Sequence, residues 1–165
     1  MSEAIEKIRG PLIELLPRLR RFARNLTHQA DNADDLVQIA LERALMRADQ
    51  WDSNGRLDSW MFGIIRHAWI DEVRSNKRRG VHLDVHELSD VIEGSTGAVD
   101  VEVLSVQTAM AKLPEEQRTA VSLVLVEGLS YKEAAQVMDI PIGTLTSRLA
   151  RGREALQVLL GGTSS

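Results

Sequence analysis

The sequence predicts an all-α protein with two small helical domains, an N-terminal helical bundle and a C-terminal helix-turn-helix, joined by an acidic linker. Apolar residues recur every three or four positions in both halves, and no period of two persists for a strand. Residues 1–80 carry 14 basic and 12 acidic side chains, residues 81–108 carry 6 acidic and no basic ones, and residues 109–165 carry 6 of each. We therefore predict domains at 1–80 and 109–165. The linker between them also holds the turn-forming residues Gly94 and Gly97. The alternative is one domain with a long surface loop, but loops of that length are uncommon inside a compact domain.

Composition excludes several functional classes. The 165 residues contain no cysteine, which excludes a disulfide scaffold, a thiol nucleophile and a cysteine-based metal site. No apolar run approaches the roughly 20 residues of a membrane span, and the acidic N-terminus does not resemble a signal peptide. The only histidine pair at helical ligand spacing is His82 and His86, in the linker. We predict a cytoplasmic protein with no cofactor, no metal, no membrane insertion and no catalytic residue.

Three amphipathic helices are predicted for the N-terminal half. The first has an apolar stripe from Leu12 to Leu26, the second has a stripe that begins at Val37, and the third spans about 57–75. The outer face of the second helix mixes acidic, polar and apolar groups: Asp35, Leu36, Gln38, Ile39, Glu42, Arg43 and Met46. Exposed apolar groups ringed by charges favour docking of a partner protein. The alternative is that another helix of the same bundle covers Leu36 and Ile39.

The C-terminal half has the pattern of a helix-turn-helix. A helix that starts near Leu113-Pro114-Glu115-Glu116 is expected to bury its apolar residues, Leu125 included, and to stop at Gly128. Ser130-Tyr131-Lys132-Glu133 then forms a capping box that opens a short helix, which Asp139-Ile140-Pro141 ends. A longer helix follows from about Ile142 to Leu160. This arrangement typically holds the second helix in the DNA major groove.

The faces of the last helix are predicted from its 100° period. Leu145, Leu149 and Leu156 share the inward side, so Ser147 and Arg151 must lie on the outward side. Small, hydroxyl and arginine side chains suit close approach to DNA, because arginine binds guanine edges or phosphates. The alternative is an ordinary solvated face.

Several segments together resemble one family, the bacterial RNA polymerase sigma factors of the extracytoplasmic-function (ECF) group. Asp31-Asn32-Ala33-Asp34-Asp35-Leu36-Val37-Gln38 resembles the segment that binds the polymerase clamp. The stretch from Trp60 to Arg74 resembles the promoter-melting helix that reads the −10 element. The domain that reads the −35 element is similar to four segments: Leu113-Pro114-Glu115-Glu116-Gln117-Arg118, Gly128-Leu129-Ser130-Tyr131-Lys132-Glu133-Ala134-Ala135, Gly143-Thr144-Leu145-Thr146-Ser147-Arg148-Leu149 and Arg151-Gly152-Arg153.

The resemblance implies functional residues and partners. The partners would be core RNA polymerase, promoter DNA and an anti-sigma factor. The implied polymerase-binding residues are Asp34, Asp35, Leu36, Gln38, Ile39 and Glu42. The residues implied for the −10 element are Trp51, Asn54, Arg56, Arg66, His67, Asp71, Arg74, Lys77, Arg78 and Arg79. Those implied for the −35 element are Thr144, Thr146, Ser147, Arg148, Arg151 and Arg153.

Three positions depart from the family pattern. Ile39 stands where a glutamate is usual, His67 where an asparagine is common, and Thr146 where a lysine or arginine is common. The first removes a carboxylate expected at the clamp. The other two change one expected contact to each promoter element.

Two other functions fit parts of the pattern. A sigma-like protein could sequester an anti-sigma factor without initiating transcription. A stand-alone helix-turn-helix repressor would bind DNA without polymerase, but such proteins are normally basic because phosphate contacts supply most of their affinity. The net charge of −4 argues against the repressor.

Overall fold

A computed structural model describes residues 3–52, 54–80 and 101–161. Seven α-helices and no strands occur within these ranges. The N-terminal half contains α1 (Glu3–Thr27), α2 (Ala30–Met46) and α3 (Leu57–Arg78). The C-terminal half contains α4 (Val101–Lys112), α5 (Glu115–Val121), α6 (Tyr131–Met138) and α7 (Ile142–Leu159).

The N-terminal half is a bundle in which α1, α2 and α3 pack against one another. Its centre is aromatic and aliphatic: the Phe22 and Phe62 rings meet edge to face with centroids 4.9 Å apart. Leu19, Leu26 and Ile65 are fully buried around them, as the apolar stripes predict. Helix α3 continues three residues beyond its predicted end.

Helix α4 begins within the range predicted as linker. Residues 101–108 are helical, although the charge pattern assigned them to the acidic segment. Residues 81–100, which include His82 and His86, lie outside the described residues. The domain boundaries at 80 and 109 stay a prediction.

A π-helical turn over Ser122–Val126 extends α5 and changes which residues it buries. The backbone N–H of Glu127 donates to the Ser122 carbonyl at 2.9 Å, five residues back. The wider turn rotates the following side chains, so Leu125 is 49% exposed rather than buried as the 3.6-residue period predicts. The chain then reverses at Gly128, whose φ of +76° a residue with a Cβ rarely adopts.

The helix-turn-helix is formed as predicted. The Ser130 hydroxyl accepts the Glu133 N–H at 3.1 Å, and the Glu133 carboxylate accepts the Ser130 N–H at 2.8 Å. Asp139 ends α6 in the left-handed region, at a φ of 56°. The capping box and this turn set the angle at which α7 leaves the domain.

Gly152 permits the close approach of α7 to α5. A Cβ at this position would lie 2.6 Å from Val121 Cγ2 and 3.2 Å from the Gln117 carbonyl oxygen. The β-branched Val121 cannot rotate freely out of the way. Packing therefore requires glycine at position 152, between Arg151 and Arg153.

We expect Gly152→Ala to lower the free energy of unfolding by about 1–3 kcal/mol, despite the higher helix propensity of alanine. The measurement is urea denaturation followed by circular dichroism. Gly10→Ala in α1 is the control, since nothing lies within 4 Å of its new Cβ and the change should be neutral or stabilising. Equal effects of the two substitutions would contradict the proposed packing constraint.

Candidate polymerase and nucleic-acid interfaces

The outer face of α2 forms an acidic groove with α3. Asp34, Asp35, Gln38 and Glu42 are exposed on this face, and Ile39 is half-buried. The groove encloses about 350 Å³ and is bordered by Asp35 and Glu42 of α2 and by Glu72 of α3. Its acidic rim and apolar floor suit a partner that presents basic residues around an apolar contact.

Leu36 is a core residue, as in the alternative in which another helix of the bundle covers it, and its role in binding polymerase stays a prediction. It is only 3% exposed. Helix α2 is covered from two sides, by α1 and by α3, so its buried stripe is wider than a single helix pair requires. Leu36 therefore lies at the floor of the groove.

The loop before α3 borders a cavity of about 570 Å³. Trp51, Arg56 and His67 are among the residues that line it. The indole N–H of Trp51 is buried and has no hydrogen-bond partner among the described residues. An unsatisfied buried donor is uncommon in a folded protein. Asn54 is exposed in the same loop, and its backbone N–H is bound to Asp52.

Arg56 is held by two carboxylates. Its guanidinium contacts Asp58 at 2.7 Å and Glu133, on α6, at 2.9 Å. Hydrogen bonding to Asp58 raises the pKa of Arg56. Burial alone would raise the pKa of Asp58, but the bonds from Arg56 and from the Ser59 backbone lower it. Both groups therefore stay charged.

The C-terminal turns of α3 form a basic surface. Arg74, Lys77, Arg78 and Arg79 are exposed there. Cations at a helix C-terminus are favoured by the helix dipole, so they also stabilise α3. Asp71 is exposed on the preceding turn, where its carboxylate pairs with Arg43 of α2 at 3.0 Å, and its contact with −10 DNA stays a prediction. It thus joins α2 to α3.

Two residues on the middle turns of α3 have different surroundings. His67 is exposed and lines the cavity beside Arg56. Arg66 is half-buried, and this burial lowers its pKa. The carboxylates of Asp139 and Glu115, both from the C-terminal half, oppose that effect. Charges of the C-terminal half therefore act on Arg66 in this structure.

The face of α7 agrees with the helical-period prediction. Leu145 and Leu149 are buried, whereas Thr146, Ser147, Arg151 and Arg153 are exposed. Thr144 is half-buried. The Thr146 hydroxyl donates to the Ile142 carbonyl at 2.8 Å, so its proton is used within the helix. Arg148 pairs with Glu116 at 3.4 Å, at the edge of this face.

The chain is similar to known proteins along most of its length, including the segments that form these surfaces. The family model of sigma-70 region 2 matches residues 12–79, and that of sigma-70 region 4 matches residues 104–156. ECF RNA polymerase sigma factor EcfG of Rhodopseudomonas palustris is 34% identical over 94% of this chain and 86% of its own length. The chain belongs to the ECF sigma factors.

Other members of the family are similar along most of the chain. ECF sigma factor SigM of Mycobacterium tuberculosis is 33% identical over 87% of this chain and 72% of its own length. The solved sigma factor RpoE of Bartonella quintana, in complex with the anti-sigma factor NepR, superposes with a TM-score of 0.81. It is 30% identical and the match covers 94% of this chain and 98% of that chain.

The two halves of this ECF sigma factor pack closely against each other. Glu127 is fully buried between them and binds Arg21 through two hydrogen bonds, of 2.7 and 2.8 Å. Arg18 adds a bond to the Glu127 carbonyl at 2.7 Å. Trp69 of α3 donates its indole N–H to Glu115 at 2.6 Å. These contacts join residues separated by 46 to 109 positions, and no periodicity in the sequence indicates them.

Arg118 inserts into the N-terminal half beside His28. Its guanidinium donates to the carbonyls of Asn25 and Leu113, which satisfies the free C-terminal ends of α1 and α4. Burial lowers the pKa of Arg118 to about 10. Burial, and then the charge of Arg118, lowers the pKa of His28 to about 4 from its ordinary 6.5. His28 is therefore neutral at pH 7.

This histidine makes stability depend on pH. Its folded pKa lies below its unfolded value, so the unfolded state binds the proton more readily and stability falls as pH drops from 6.5 toward 4. Because of His28, we expect the free energy of unfolding to fall by up to about 2 kcal/mol between pH 7 and pH 5. Asparagine tolerates the local φ of 63°, so His28→Asn should remove the part of this loss of stability that comes from protonation of the histidine. Denaturation at both pH values measures it; identical pH dependence in the two proteins would contradict it.

None of the helices that the structure describes is long and apolar enough to cross a bilayer. Within the same ranges, no group of three or more histidine, aspartate and glutamate residues is arranged to hold a metal ion.

Proposed function

We propose that this chain binds core RNA polymerase in the cytoplasm and directs it to a specific set of promoters. The observation that carries the proposal is the match to sigma-70 regions 2 and 4, in that order and along most of the chain. Polymerase supplies the catalysis, and the chain supplies recognition. Asp34, Asp35, Gln38, Ile39 and Glu42 would contact the polymerase clamp through the acidic groove, with Leu36 supporting them from the core.

The −10 element would be read by the loop and α3. Trp51 and Arg56, which line the neighbouring cavity, and the exposed Asn54 support capture of a flipped base there. The exposed cations at the end of α3 would contact phosphates of the melted strand. His67 lines the same cavity. Arg66 would become available once the halves separate.

The −35 element would be read by α7. Ser147 and Arg151 lie on the exposed centre of its face and would approach bases. Arg148 and Arg153 lie at the edges and would contact phosphates. Thr146 should contribute little, because its hydroxyl proton already binds the Ile142 carbonyl.

We propose that an anti-sigma factor holds the chain inactive until a signal releases it. Support comes from the similarity to the Bartonella quintana sigma factor, whose solved structure is a complex with an anti-sigma factor. CnrH, solved with the cytosolic domain of CnrY, supports the fold alone, with a TM-score of 0.68 at 23% identity.

The proposed function requires polymerase for stable promoter binding. With a net charge of −4, the free chain should hold a duplex promoter fragment weakly, whereas the complex with core polymerase should retain it against heparin. A gel-shift experiment with chain alone, core alone and both together measures this. Retention by the chain alone would favour the stand-alone repressor. If the chain and core polymerase together retained no more promoter fragment than core polymerase alone, the result would favour a protein that only sequesters an anti-sigma factor.

The substitutions Arg151→Ala and Arg148→Ala should affect transcription differently. The first should change promoter preference, and the second should lower transcription from all promoters. A base-reading arginine provides about 1–3 kcal/mol of discrimination, whereas a phosphate contact weakens all sequences alike. Arg151→Ala should therefore relax preference at one −35 position, and Arg148→Ala should reduce transcription from every promoter by a similar factor. Transcription from a set of single-base −35 variants measures both. An equal reduction by Arg151→Ala on all templates would contradict its base-reading role.

A further inference from the structure

The first residue of α7 is an isoleucine that the core of the C-terminal half does not use. Ile142 begins the helix and is 53% exposed. Its neighbours Pro141 and Gly143 are exposed as well. Further along the helix, Leu145 and Leu149 are at most 1% exposed and belong to the core. The apolar side chain of Ile142 is therefore left at the surface, at the start of the helix whose face carries the candidate −35 residues.

The side chain of Ile142 projects at the end of the helix. The Cα–Cβ bonds of an α-helix tilt toward its N-terminus, so the side chain of the first residue leans past the start of the helix. Ile142 lines a cavity of about 450 Å³ together with Lys132 and Gln136 of α6. Every described residue that lines this cavity lies between positions 132 and 142, within the helix-turn-helix. A group that meets the start of α7 would therefore meet this isoleucine.

Under the proposed function, on which this inference rests, that group is a base pair. The second helix of a helix-turn-helix contacts base edges with its N-terminal residues. Isoleucine has neither a donor nor an acceptor in its side chain, so it cannot read a base edge by hydrogen bonding. The apolar group that base edges present in the major groove is the C5 methyl of thymine. Ile142 is thus matched to one base of the four.

We propose that Ile142 contacts the methyl group of a thymine in the −35 element and thereby selects an A·T pair at one position. Nine residues separate Ile142 from Arg151, which corresponds to about 13.5 Å along α7. Successive base pairs are only roughly 3.4 Å apart, so the two side chains read different base pairs. Ile142→Ala and Arg151→Ala should therefore relax preference at different −35 positions.

Uracil in place of thymine tests the contact, because uracil lacks the C5 methyl and keeps every hydrogen-bonding group. The template is a promoter whose start site has been mapped with the reconstituted holoenzyme. Each thymine of its −35 element, on either strand, is replaced by uracil one at a time. We expect one of these replacements to lower transcription by wild-type holoenzyme about three- to fivefold, the effect of burying about one methyl group.

Three variants show which side chain senses the methyl. Ile142→Ala should lower transcription from the thymine template by a similar factor and lose no more when uracil replaces that thymine. Ile142→Val keeps both branches at Cβ and should stay sensitive to uracil. Ile13→Ala is the matched control, since Ile13 is an exposed isoleucine of α1, at 59%. It should be as sensitive to uracil as wild type.

Several results would overturn the contact. They are a −35 element without an A·T pair, a wild-type holoenzyme insensitive to uracil at every −35 thymine, and an Ile142→Ala holoenzyme as sensitive to uracil as wild type. Weaker co-purification of Ile142→Ala with core polymerase would also overturn it, because the residue would then contact protein. Failure of the proposed function would appear separately, as wild-type holoenzyme that yields no defined start site.

Discussion

Replacing Glu127 with alanine is expected to lower the free energy of unfolding by about 3 kcal/mol. The carboxylate is fully buried and binds Arg18 and Arg21 of α1. Removing one partner of a buried ion pair generally costs about 3–5 kcal/mol, because the other partner loses its compensating charge. The lower end applies here, since the arginine side chains are 31% and 49% exposed and regain water.

Urea denaturation of the full chain measures this effect. Glu116→Ala is the matched control, because Glu116 forms an exposed pair with Arg148 at 3.4 Å and its loss should cost less than about 1 kcal/mol. The loss at Glu127 should also persist in 0.5 M salt, which screens exposed pairs far more than buried ones. Similar effects of the two substitutions would show that the buried pair contributes little to the packing of the halves.

Asp35→Arg is expected to weaken binding to core polymerase about 100-fold, or about 3 kcal/mol. Asp35 is exposed at the rim of the acidic groove, so an arginine there would meet the basic partner that the groove suits. The helical content should not change, because the side chain lies outside the core. Co-purification with core polymerase at several concentrations gives the affinity.

The control for this substitution is Glu14→Arg, the same charge change on the exposed side of α1. It should leave polymerase binding within about twofold of wild type, since it lies outside the groove. If Asp35→Arg assembled with polymerase as well as Glu14→Arg does, the groove between α2 and α3 would not be the binding surface.

Elements governed by local chemistry could be predicted from the sequence. The faces of α7 follow from its period, and the capping box at Ser130 follows from residues three positions apart. The burial of Leu36 could not be decided from the sequence, because it depends on α3 closing over one side of α2, which a single helical period does not show. Leu125 was misassigned because a π-helical turn breaks the assumed period.

The contacts between the halves could not be predicted at all. Glu127 looks like an ordinary surface glutamate near a helix end, and its partners lie more than 100 residues away. The same holds for Arg56, which pairs with Glu133 across 77 positions. Long-range ion pairs leave no periodic signal, so only the folded arrangement shows that Arg56, which is predicted to contact DNA, is already paired.

Transcription by reconstituted holoenzyme tests the central claim most directly. Core polymerase with and without this chain would be supplied with fragmented DNA from the organism of origin, and the 5′ ends of the transcripts would be mapped. The account predicts defined start sites that appear only with the chain, share sequence elements near −35 and −10, and disappear with Asp35→Arg. Transcripts unchanged by adding the chain would contradict its assignment as a promoter-directing sigma factor.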